Sequence, residues 1–136
     1  MTTINLNTVR LTIENRVETE LINSPPVTVI FNNMPFKPDI DKNFVQCLVD
    51  FGQTEYSAFN TNTVNGTIIF NIFTKSGVGS GSNLIIGKRI RDLFNKVTVS
   101  DVIFNAPNGP TLLQSTAPEG YFQSIISVDF EIYETI

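Results

Sequence analysis

The chain has no His, no Trp and a single Cys in its 136 residues. Without His there is no Ser-His or Cys-His nucleophile pair, no His general base and no His metal ligand. The one thiol, Cys47, can form neither an internal disulfide nor a thiolate cluster by itself. Its setting, Val45-Gln46-Cys47-Leu48-Val49, reads as a buried strand, where a thiol is inert. Charge is scarce too: charged residues are 16%, against roughly 25% in an average soluble domain. No stretch approaches the ~18–20 apolar residues of a membrane helix. Met1 to Asn5 lack a positive region followed by an apolar run, so no signal peptide is expected. The expectation is a soluble protein made in the cytoplasm.

What is present is apolar enough to fold. Hydrophobic residues make up 41%, and eleven Phe beside three Tyr promise an aliphatic and phenyl core. The length suits one domain spanning residues 1–136. A net charge of −4 argues against general nucleic-acid binding.

Leu6, Val9, Ile13, Val17 and Leu21 step by three or four, which predicts a helix from about Asn5 to Ile22. Asn23-Ser24-Pro25-Pro26 stops it. Val27 to Phe31 is a short β-branched run, followed by an irregular segment with two prolines. Phe44 to Phe51 reads as a strand with Val45, Cys47, Val49 and Phe51 on one face. The polar stretch from Gln53 to Asn65 reads as a long hairpin connection. Gly66 to Phe73 is apolar on both faces, as in a central strand covered on each side. The Gly77–Ser82 segment then leads into a second helix, Asn83 to about Asn95, with Ile86, Ile90, Leu93 and Phe94 buried and Ser80 or Ser82 as N-cap. Short extended pieces at Val97–Phe104 and Thr111–Ser115 flank a turn at Ala106–Pro110. From Gly120 a period-two pattern places Phe122, Ile126, Val128, Phe130 and Ile132 on one face. The predicted class is α+β, a mainly antiparallel β-sheet packed against two α-helices.

Little in the chain suggests chemistry. Gly77-Val78-Gly79-Ser80-Gly81 lacks both the third Gly of a dinucleotide loop and the Gly-Lys-Ser/Thr of a P-loop, and reads as a connector. Asp39 and Asp41 flank Ile40 without a partner carboxylate set. No catalytic constellation, cofactor site or metal site is expected. Lys88, Arg89, Arg91 and Lys96 put four of nine basic residues on the second helix, as a solvated face or a basic patch. From Thr98 onward there are five acidic residues and no Lys or Arg. That asymmetry suits head-to-tail assembly as well as internal pairing. Met34, Pro35 and Phe36 form an apolar knuckle, either packed on the core or anchored in a neighbour.

Taken in order, these segments resemble the tail terminator (minor tail, or tail completion) proteins of long-tailed bacteriophages. The resemblance spans nearly the whole chain. Phe31-Asn32-Asn33-Met34-Pro35-Phe36-Lys37-Pro38 is similar to the family's N-x-P-F-x-P loop. Gly66 to Phe73, the Gly/Ser linker and a helix ending Arg91-Asp92-Leu93-Phe94 resemble its strand, connector and helix. Ala106-Pro107-Asn108-Gly109-Pro110 and Gly120-Tyr121-Phe122 resemble its last hairpin, with Tyr121 where an indole is frequent. The resemblance implies a structural virion protein and not an enzyme. It implies a homohexameric ring at the head-proximal end of the tail, which stops tube polymerisation and joins the head. The implied partners are further copies of itself, the tail tube protein and head-completion or neck proteins, with genomic DNA only passing through and no membrane. Met34, Pro35, Phe36, Lys88, Arg89 and Arg91 are the candidate subunit or partner contacts. The alternative is a related neck or tail-tube-like structural protein.

Overall fold

A computed structural model describes residues 4–22, 26–32, 42–77, 79–113 and 120–135. Helix α1 runs Leu6–Ile22 and α2 runs Gly81–Phe94. The strands are β1 Thr28–Phe31, β2 Phe44–Ala58, β3 Thr61–Lys75, β4 Thr98–Val99, β5 Val102–Phe104, β6 Asn108–Leu113 and β7 Tyr121–Thr135. The fold is α+β. The sheet order is β1-β2-β3-β7-β5-β4, with β6 beside β7. All pairings are antiparallel except β1 with β2. Strands β5 and β6 share the second edge of β7, one along each half of it.

Both helices lie on one face of this sheet. Asn5 caps α1, its Oδ1 accepting from the amides of Asn7 and Thr8 at 3.0 and 3.2 Å. Val9, Ile13, Val17 and Leu21 are buried, but Leu6 sits on the first turn and is half exposed. From α2, Ile86, Ile90 and Phe94 join them, with Leu93 only partly buried. Beneath lie Val45, Cys47 and Val49 of β2, Ile68, Phe70 and Ile72 of β3, and Ile126 to Ile132 at alternate positions of β7. Ser80 is the N-cap of α2, without a side-chain hydrogen bond. Gly77 and Gly79 take φ of +82°, so the chain turns there at positions where a side chain would be strained.

Three features depart from the sequence reading. Gln53 to Asn65 is no long connection: β2 continues to Ala58, β3 starts at Thr61, and Phe59-Asn60 alone make the turn. These polar strands are held by the ladder itself, since β7 follows β3 as far as the pair Thr61–Thr135. The second departure is β3, which is central but covered by helices on one face only. Its other face presents Thr63, Asn65, Thr67, Ile69 and Asn71, and a small aromatic cluster of Phe44, Phe73 and Tyr121 sits at one end. The Ala106–Pro110 turn is also shorter than its sequence suggests, because β6 begins at Asn108 and slips register before Thr111.

Candidate functional site

The basic side chains of α2 have separate fates. Arg89 donates from Nη2 to the carbonyl of Glu20 at 2.8 Å, and its Nε lies 3.5 Å from the Glu20 carboxylate. Arg91 donates to the carbonyls of Pro107 and Gly109 and so ties α2 to the start of β6. Lys88 is exposed and pairs with Asp92 one turn on. From the other helix, Arg16 donates Nε and Nη2 to the carbonyl of Leu93 at 3.0 and 2.8 Å. The two helices therefore run antiparallel, and each supplies an arginine to the last turn of the other. Those carbonyls lack intrahelical partners, and a cation beside them also opposes the negative end of the helix dipole. Of the three basic candidates, Arg89 and Arg91 hold the fold together and Lys88 faces solvent. Met34, Pro35 and Phe36 lie outside the described residues, as do Asp39 and Asp41.

Cys47 is fully buried. Burial pushes its thiol far above the usual range, and the Glu14 charge adds to this. It is a core residue. Among the described residues no group of three or more Cys, Asp or Glu side chains could hold a metal ion. The buried Asn83 and Ser124 have structural partners. Asn83, at the first turn of α2, donates to the Ile72 carbonyl at 3.1 Å and to Thr74 Oγ1 at 3.2 Å. Its Oδ1 accepts from the Ser124 hydroxyl. One amide thus pins α2 to both β3 and β7.

On the open face of the sheet, an amide row crosses three strands. Asn71 donates to Gln46 and accepts from Gln123, each at 3.1 Å. Toward the hairpin the face turns acidic: Asp50 and Asp129 flank Thr67, Glu131 lies opposite Asn65, and Glu55 lies opposite Thr63. At the far hairpin end every residue from Gly52 to Asn60 is exposed, with Tyr56 at 65% and Phe59 at 83%. At the opposite end Ile22 (59%) and Ile85 (63%) are also in solvent. The sequence reading passed over Tyr56 and Phe59. The signal was there, two aromatics isolated in a polar stretch. Ile85, one position off the buried stripe of α2, was equally visible.

No protein-family model matches this chain, and no curated protein matches it either. Solved structures do. One of them, which carries no functional name, covers 96% of both chains with a TM-score of 0.71 at 16% identity. The fold is a shared one. At that identity the likeness speaks for architecture alone. No helix among the described residues is long and apolar enough to cross a membrane.

Proposed function

We propose that the protein is a structural subunit of a bacteriophage virion, a tail terminator that closes as a homohexameric ring at the head-proximal end of the tail. In this role it acts without catalysis or cofactor. It stops tube growth and offers a joining surface to the neck. The observation that carries this reading is the placement of large apolar side chains in solvent at the two opposite ends of one sheet. Tyr56 and Phe59 stand at the hairpin end, Ile22 and Ile85 at the other. Apolar groups left exposed in this way favour contacts between molecules. Two different patches at opposite ends favour head-to-tail contacts, which close into rings when the rotation per subunit fits. The order of segments shared with tail terminators supports the same reading.

The test is electron microscopy of purified particles carrying a tagged copy. The expected result is one ring of six at the head–tail junction, and tails of uncontrolled length when the gene is disrupted. Label distributed along the whole tail would assign a tube role instead. A ring of another order would overturn the six-fold assembly.

A further inference from the structure

The end of the sheet opposite the hairpin carries a groove of about 350 Å³. Its walls are Pro26 and Val27, which lead into β1, and Ile85 and Ile86 of α2. Thr28, Asn43 and Ser82 line it too, with the cations Lys42 and Arg89, and no carboxylate is among its described lining residues. Lys42 makes no ion pair with another described residue. The Arg89 charge is shared with Glu20. The groove thus combines apolar and neutral polar side chains with two cations.

The hairpin tip has the matching chemistry. Phe59 is the most exposed large apolar side chain among the described residues. Glu55 stands four residues before it. Glu134 lies in the row next to the tip, accepting from Asn62 Nδ2 and from the amide of Ile4. No Lys or Arg occurs from Phe44 to Thr74 or from Gly120 to Thr135. An exposed aromatic with carboxylates nearby stands at one end, and a groove lined by apolar side chains and two cations opens at the other. One chain cannot join its own two ends. Strands β2 and β3 are each 15 residues long, so at ~3.3 Å per residue the ends stand roughly 50 Å apart.

We infer that the hairpin tip of one copy docks in the groove of the next, with Phe59 against Val27 and Ile85 and the tip carboxylates facing Lys42 and Arg89. The inference rests on the assembly reading above and names its contact. The charges steer the encounter and fix its direction, while burial of the ring holds it. Phe59, Lys42 and Ile85 are exposed and lie outside the buried core, so changes at these positions leave the subunit folded.

Cross-linking of two full-length variants, Ser57→Cys beside the tip and Ser82→Cys in the groove, tests the contact while leaving Phe59 and Ile85 in place. Cys47 is buried and does not compete. Mild oxidation of the mixture should give mixed disulfide pairs in clear excess over pairs of either variant alone. Sedimentation should show self-association about tenfold weaker for Phe59→Ser and for Lys42→Glu. Adding Glu55→Lys to Lys42→Glu should recover it. Rings that form while the mixture fails to cross-link would overturn the contact and leave the ring reading standing. The same failure is expected if a different protein fills the groove. Mixed pairs that build open chains, or rings of another order, would support the contact and overturn the hexamer. A chain that stays monomeric at every concentration and on tails would overturn both.

Discussion

Gly66 sits in one cross-strand row with Phe51 and Phe130, whose rings meet edge to face 5.9 Å apart. A methyl group at position 66 would fall 2.2 Å from Phe130 Cζ and 2.8 Å from the Asp50 carbonyl oxygen. Gly66→Ala should therefore destabilise the fold by about 1–3 kcal/mol, read by urea unfolding. Adding Phe130→Leu should not restore it, because the carbonyl belongs to the paired strand and cannot step aside. Cys47 makes a different prediction. Its thiol stays protonated in the folded chain well above the ordinary value of 9.0, while the unfolded chain ionises there. The unfolded state then holds fewer protons than the folded one, so stability falls as pH rises past 9.0. Comparing alkaline unfolding of the wild type with Cys47→Ala should show a shallower pH slope in the variant. Native Cys47 should also resist thiol reagents until the protein unfolds.

At the scale of elements, the helix pair depends on two arginines and not on the charge of the α2 surface. Arg16 reaches the end of α2, and Arg89 reaches the end of α1. Replacing either by Ala should lower stability by about 1–2 kcal/mol, since each makes charge-assisted bonds to a carbonyl with no helical partner. Lys88→Ala should stay within about 0.5 kcal/mol, because its pair with Asp92 is solvated. Chemical denaturation of the three variants separates the two roles. The hairpin behaves in the opposite way. Its outer strands bury little, so changes at Phe59 should alter association and leave unfolding midpoints nearly unmoved.

Across the whole molecule, the open face of the sheet is acidic toward the hairpin, while the helices carry charges of both signs. Asp50, Glu55, Asp129 and Glu131 share the open face of the sheet, whereas most cations belong to the helices. With Arg89 and Arg91 bound to carbonyls, α2 presents little positive charge to a polyanion. Phosphate contacts would need several free cations on one surface. Free protein should give no gel shift with double-stranded DNA near physiological salt. A shift abolished by Lys88→Ala would make α2 a nucleic-acid surface and would count against a ring through which DNA merely passes.

The sequence alone determined the two helices, most of their buried stripes, the apolar halves of β2 and β3, the last strand and the burial of Cys47. Each rests on a local pattern: a 3.6-residue or two-residue period, with Pro or Gly at the breaks. Only the tertiary structure decided what the polar segments do. Gln53 to Asn65 carries no apolar alternation, and it becomes strand because β7 follows β3 to its end and satisfies its backbone. Arg16, Arg89 and Arg91 look alike as charges on helices, yet their partners are carbonyls up to 77 residues away in sequence. Asn83, where the sequence pattern starts the second helix, is fully buried and holds two strands. Periodicity tells which side of an element is apolar. Which donor meets which acceptor depends on how the elements cross, and that is set by the packed chain as a whole.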